Sequence, residues 1–108
     1  MKVKLPTIIE RYIKASNEAD LKTFITCFNN TATVLDEGET IVGHKAISNW
    51  FTRTRTKYQF KSEPINIKNE GENIILVAKV SGNFPGSPVI LDYYFKIKSE
   101  LIEDLKIL

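Results

Sequence analysis

Cysteine, histidine and tryptophan each occur once in this 108-residue chain. A single thiol cannot close an intrachain disulfide, so nothing in the sequence requires an oxidising compartment. One histidine without a cysteine cluster would leave a metal centre to carboxylates alone, and neither a metal nor another cofactor is expected. A dominant charge sign is also missing. Fifteen basic and thirteen acidic residues leave a net charge of +2, too small a bias to suit a nucleic-acid partner. No apolar run approaches the roughly 20 residues that cross a bilayer, so no membrane association is expected. The opening segment Met1-Lys2-Val3-Lys4-Leu5-Pro6 lacks the apolar stretch and cleavage site of a secretory leader, and a cytoplasmic location is the default expectation. Linkers, internal repeats and low-complexity tracts are absent, and the length suits one domain spanning residues 1–108. What is present is an ordinary globular balance: 43% hydrophobic and 26% charged residues.

The first third reads as helical. Pro6 suits a first helical turn, where its missing N–H costs nothing. Ile8, Ile9, Tyr12 and Ile13 recur at helical spacing, with Glu10, Arg11 and Lys14 on the other side. Asn17 is expected to cap a second helix, with Asp20 near its positive end. Leu21, Phe24, Ile25 and Phe28 then occupy i, i+3, i+4 and i+7, and Asn29-Asn30 is expected to end that helix. Cys27 falls beside Phe28 with no basic neighbour to activate it, so a buried, unreactive thiol is expected. A third helix is expected from about His44, because Ile47, Trp50 and Phe51 repeat the same period. Arg53, Arg55 and Lys57 follow in its last turn, where solvation and the helix dipole explain them.

The remaining segments read as strands. Thr31 to Leu35 is β-branched and apolar, Asp36-Glu37-Gly38-Glu39 turns the chain, and Thr40-Ile41-Val42 forms a brief return. Phe60 to Lys68 reads as a strand whose apolar phase slips at Pro64, predicting a bulge there. Asn69 to Asn73 is a hairpin turn, Ile74 to Ser81 a long strand, and Gly82 to Pro88 a connection. In Val89 to Lys98, Val89, Leu91, Tyr93, Phe95 and Ile97 share one face. Glu100 to Leu108 supplies the last strand. The order predicts an α+β domain. Ile75, Val77, Ile90 and Tyr94 fall on the phase opposite the core, and covering them in a homodimer packed sheet to sheet is the economical arrangement.

The series Ile8-Ile9-Glu10-Arg11-Tyr12-Ile13, Asn17, Ala19-Asp20-Leu21, Phe28, Ala32-Thr33-Val34-Leu35-Asp36, Gly43, Ala46-Ile47 and Trp50-Phe51 resembles the nuclear transport factor 2-like superfamily, specifically its SnoaL-like and steroid-isomerase-like members. Tyr93-Tyr94-Phe95-Lys96-Ile97 continues the likeness, and Gly82 to Val89 is similar to a group of small SnoaL-like proteins. The resemblance implies a cone-shaped, cystatin-like fold: three helices on a strongly curved, mostly antiparallel sheet, open at one end, commonly dimeric. It also implies site positions. Tyr12 matches the first-helix tyrosine that donates to a substrate oxygen in steroid isomerases, and Asp36 matches their proton-shuttling aspartate. Their late-strand protonated aspartate has no match; Tyr93 stands in that place by strand phase, and Asp92 could reach it only through a bulge. The single His44 departs from scytalone-dehydratase-like relatives, and the Asp-Arg-Asp set of epoxide-hydrolase-like relatives has no counterpart.

Each candidate has a plainer reading. Asp36 can be a general base in an apolar setting, or a turn carboxylate bonded to nearby backbone amides, with Glu37 the replacement if it points outward. Tyr12 is a pocket phenol or a core ring, and His44 a capping or surface residue. Phe24, Trp50, Phe51 and Tyr93, with Tyr12 and Asp36, form the expected ligand-binding set. The favoured reading is a cavity for a small, largely apolar, oxygen-bearing molecule. Two alternatives stand beside it. One is an isomerase, cyclase or dehydratase using Asp36 as base and Tyr12 as oxyanion donor. The other is a protein-interaction module using the sheet face.

Overall fold

A computed structural model describes residues 3–108; of the opening segment read for a leader, Met1 and Lys2 lie outside it. The chain runs α1 (Thr7–Asn17), α2 (Leu21–Thr26), β1 (Phe28–Asp36), β2 (Glu39–Val42), α3 (His44–Tyr58), β3 (Lys61–Glu70), β4 (Asn73–Ser81), β5 (Val89–Lys98) and β6 (Leu101–Ile107). The strands form one curved sheet in the order β2-β1-β6-β5-β4-β3. Every pairing is antiparallel except β1 with β6, which run parallel. This is the expected α+β architecture of three helices on a mostly antiparallel sheet.

The helices form because their apolar stripes have a sheet face to cover. Ile8, Ile9, Tyr12 and Ile13 of α1 are all buried, as are Ile47, Trp50 and Phe51 of α3. They meet Ala32 and Val34 of β1, Leu76, Ala78 and Val80 of β4, and Phe95 of β5 in one core. Phe24 of α2 stacks on Phe51 at 4.0 Å between ring centroids, joining two helices across that core. Pro64 marks the expected irregularity: the β3–β4 register shifts between Pro64 and Asn66, leaving Ile65 outside the ladder and 47% exposed.

Several local expectations are corrected. Pro6 is the residue before α1 and does not belong to its first turn. The second helix ends at Thr26, and Phe28, Asn29 and Asn30 already belong to β1. Phe28 satisfies a helical i+7 pattern, but pairing with Ile102 of β6 claims it, with Ile102 N–H donating to the Cys27 carbonyl at 2.8 Å. Tertiary pairing overrides the local period there. Asp20, not Asn17, caps α2, its carboxylate accepting from Thr23 N–H at 3.2 Å. Arg55 is not simply solvated: its guanidinium donates to the Phe60 carbonyl and lies 4.5 Å from the Phe60 ring centroid.

Asn17 has a different task. Its side-chain amide donates to the Ser62 carbonyl at 2.9 Å, and its oxygen accepts from the Ser62 N–H at 2.8 Å. One amide group thereby holds the end of α1 against the start of β3. Asn17→Ala leaves both Ser62 backbone groups short of partners in a half-buried setting. The expected cost is about 2 kcal/mol, measured by denaturant unfolding, with faster amide exchange at Ser62 than at the far end of β3.

Candidate functional site

Side-chain phase brings the six expected residues to one place. On β1, Ala32, Val34 and Asp36 share a face, so the carboxylate follows two core residues inward. The turn after it needs only Glu37 and Gly38, both at positive φ (52° and 76°), and Asp36 pairs directly with Glu39. On β5, Tyr93 lies in phase with Leu91 and Phe95. Tyr12 comes from α1, Phe24 from α2, Trp50 and Phe51 from α3. All six line a hollow of about 610 Å³ between the helices and the open end of the sheet. Tyr93, not Asp92, lines it. The Asp92 backbone instead exchanges a pair of 3.0 Å hydrogen bonds with Leu108.

The polar groups in the hollow are arranged unequally. The Trp50 indole N–H donates to Asp36 Oδ2 at 2.9 Å, and no other side chain among the described residues bonds the carboxylate. Tyr93 Oη lies 3.2 Å from the Oγ of Ser62, a residue whose backbone is held by Asn17. Tyr12 is 3% exposed, yet its hydroxyl has no hydrogen-bond partner among the described residues. Its ring is wedged among Phe24, Phe28, Tyr93 and Phe95, with centroids 5.1–6.2 Å away. The ring is buried while the hydroxyl is open to the hollow, where it can donate.

Burial sets the charge states. Desolvation raises the Asp36 pKa, assisted by Glu37 and Glu39 and opposed by the Trp50 hydrogen bond. Tyr12 is raised well above the ordinary phenol value, first by burial and then by the charges of Tyr93, Asp36 and Cys27. Burial also raises Tyr93, against the bond from Ser62. Both phenols therefore remain neutral donors near pH 7. Cys27 is buried outside the hollow with its thiol pushed up to about 11, so it is protonated and a poor nucleophile. His44 is also elsewhere, its Nε2 2.8 Å from the Phe28 carbonyl, tying the start of α3 to β1. No cluster of three metal-ligating side chains occurs among the described residues. No helix among them is long and apolar enough to cross a membrane.

Other lining residues escaped the sequence reading. Ser16, Thr54 and Tyr58 extend the α1 and α3 stripes, four residues beyond Tyr12, Trp50 and Thr54 respectively. The readable signal was a polar residue continuing an apolar helical face. Thr54 donates to its own helix at Trp50 and Phe51 carbonyls, 3.0 and 3.1 Å away, and Tyr58 Oη donates to Glu37 Oε1 at 3.1 Å. Phe84, on the β4–β5 connection, meets the Tyr58 ring edge to face at 5.9 Å. Gly82 permits that approach, since a Cβ there would lie 2.6 Å from the Tyr58 carbonyl oxygen.

The same construction recurs in solved structures. A protein from Sinorhizobium meliloti, named as a candidate polyketide cyclase, superposes with a TM-score of 0.93 and is 36% identical, covering 96% of this chain and 95% of its own. A Catenulispora acidiphila protein with a ketosteroid isomerase-like fold, solved in complex with trimethylamine, gives a TM-score of 0.84 at 20% identity, covering 97% of this chain and 86% of its own. A SnoaL-like candidate polyketide cyclase from Shewanella putrefaciens gives 0.77 at 17% identity, covering 97% and 90%. No protein-family model matches the sequence, and no curated protein matches it. With the 36% relative matched over nearly both full lengths, the chain belongs to the nuclear transport factor 2-like superfamily.

The raised Asp36 pKa has a definite sign for stability. Its folded value exceeds its unfolded one, so its contribution to stability is greatest below the unfolded carboxyl range and is lost as pH rises through the folded pKa. Asp36→Asn keeps an oxygen for the Trp50 indole and removes the buried charge. The variant is expected to melt above the wild type at pH 7, with the difference closing as pH falls through the carboxyl range, read by thermal unfolding across pH.

Proposed function

We propose that the hollow binds a small, largely apolar molecule carrying one or two oxygens, in a cytoplasmic homodimer. The observation that carries this is the Tyr12 hydroxyl, bonded to no other group among the described residues and open to a largely apolar hollow. A ligand oxygen would complete it, while Phe24, Trp50 and Phe51 supply apolar contact and Tyr93 a second phenol. An interaction module with a filled interior is less compatible with the open hollow. The outer sheet face still suits a second copy of the chain. Ile90 is 56% exposed, and Val77 and Tyr94, of the same strand phase, are half-buried.

The enzymic reading has its own support in Asp36. One oxygen is fixed by Trp50, desolvation raises the carboxylate's proton affinity, and a neutral phenol lines the same space. Such a set can remove a proton beside a carbonyl while Tyr12 stabilises the enolate oxygen. Isomerisation, cyclisation and dehydration share that step. The name of the 36% identical relative favours the cyclase form.

A simple aryl ketone, 2-tetralone, tests both readings. Binding is expected to shift the NMR signals of Tyr12, Trp50 and Tyr93, and Tyr12→Phe is expected to weaken it roughly 2–10-fold, the worth of one neutral hydrogen bond. Shifts confined to the outer surface, or an unchanged affinity in the variant, would defeat the binding reading. Exchange of the ketone's α-hydrogens for deuterium tests the base, with a fall of about 100-fold or more expected in Asp36→Asn. The dimer is tested separately: Ile90→Lys is expected to halve the sedimenting mass without lowering the melting temperature of the monomer fold.

A further inference from the structure

Charge is distributed in this molecule against its net sign. The chain carries +2 overall, yet the side chains lining the hollow include two carboxylates, Asp36 and Glu37, and among the described residues no lysine, arginine or histidine. Eight of the nineteen lining residues are aromatic. Arg53 is held outside by Glu39 at 3.0 Å, and Arg55 is engaged with the Phe60 carbonyl and ring. An anion entering this space meets negative charge and aromatic walls without a lining cation to receive it. A cation meets the reverse.

Asp36 is placed for such a partner. Trp50 bonds the carboxylate through its indole edge and the Glu37 backbone also favours its charge, while no other side chain among the described residues bonds it. The Trp50 ring lies 6.2 Å from Phe24, and Phe24 in turn lies 5.1 Å from Tyr12, centroid to centroid. Carboxylate and aromatic side chains thus share one wall. Glu37 is anchored by Tyr58 at the turn after β1. The unpartnered Tyr12 hydroxyl can meet a polar atom of the same ligand.

We infer that the ligand of this hollow bears a basic amine or quaternary ammonium, held against Asp36 among the aromatic walls, and that anionic ligands are excluded. This rests on the proposed ligand-binding role and narrows its substrate class to amine-bearing molecules that also carry an oxygen. Electrostatic attraction to ring faces strengthens when water is removed, so a half-enclosed aromatic hollow favours the cation over a neutral molecule of equal shape. The cation also offsets the cost of holding Asp36 ionised away from water.

Choline and 3,3-dimethylbutan-1-ol test the inference, because they have the same shape and differ by a quaternary nitrogen in place of carbon; 3,3-dimethylbutanoate supplies the anion. Binding can be followed by the emission of Trp50, the chain's single tryptophan, and by amide NMR shifts along the hollow. Choline is expected to bind about tenfold more tightly than the neutral alcohol, with no detectable binding of the anion. The preference should disappear in Asp36→Asn. In the wild type, choline affinity should rise with pH through the titration of Asp36, while affinity for the alcohol stays level. Trp50 from α3, Tyr12 from α1, Tyr93 from β5, and Glu37 and Glu39 beside Asp36 are the groups facing or influencing that carboxylate. The pH series decides the matter even if the variant folds poorly. Equal affinity for choline and the alcohol, or tighter binding of the anion, overturns the cation inference and leaves a general ligand site standing. Failure of choline, the alcohol and 2-tetralone alike removes both.

Discussion

The hydrogen bond from the Trp50 indole to Asp36 joins a helix to a strand end at the point where the packed core gives way to open space. On one side of it lie the fully buried Ile47, Val34 and Phe28. On the other is the aromatic hollow. A carboxylate at that boundary has lost much of its water, and the indole is the side-chain donor the fold gives back. Without it, the carboxylate would turn toward solvent or take up a proton more readily. With it, one oxygen of Asp36 is fixed and the carboxylate is held at the wall of the hollow.

Hollow and core are built from the same stripes. Tyr12 follows Ile8 and Ile9 on α1, Trp50 follows Ile47 on α3, and Asp36 follows Ala32 and Val34 on β1. The polar members belong to the same apolar series as core residues, so the hollow is held by the packing that holds the domain. That arrangement lets a strained electrostatic environment persist in a small protein. The charge at Asp36 disfavours folding, while the aromatic cluster around Tyr12 and Phe24 supplies apolar burial close by.

These periodicities also explain how much was legible in the sequence. Tyr12, Phe24, Trp50 and Phe51 could be assigned to inward faces from helical spacing, and Tyr93 from strand alternation. Asp36 needed only the phase set by Ala32 and Val34. What escaped depended on distant partners. Asn17 looked like a cap because Asp20-Leu21 follows it, but its partner is Ser62, forty-five positions away. Phe28 completed a helical pattern until pairing with β6 claimed it. Ile75 shows the limit of alternation: it lies on the outer phase yet is 2% exposed, flanked in a central strand by Lys68 and Tyr94. Ser16 and Thr54 were hidden by their chemistry, since small polar residues on an apolar stripe look like interruptions.

The parallel contact between β1 and β6 gives the molecule a seam. Its two strands are far apart along the chain and cannot meet through a tight turn. Asp36 and Trp50 belong to the portion before the seam, Tyr93 to the portion after it. Closing that long loop is entropically costly and tends to come late in folding. The acid and the late-strand phenol therefore become neighbours only when both portions have docked, so a partly folded chain can present either group but not their combination.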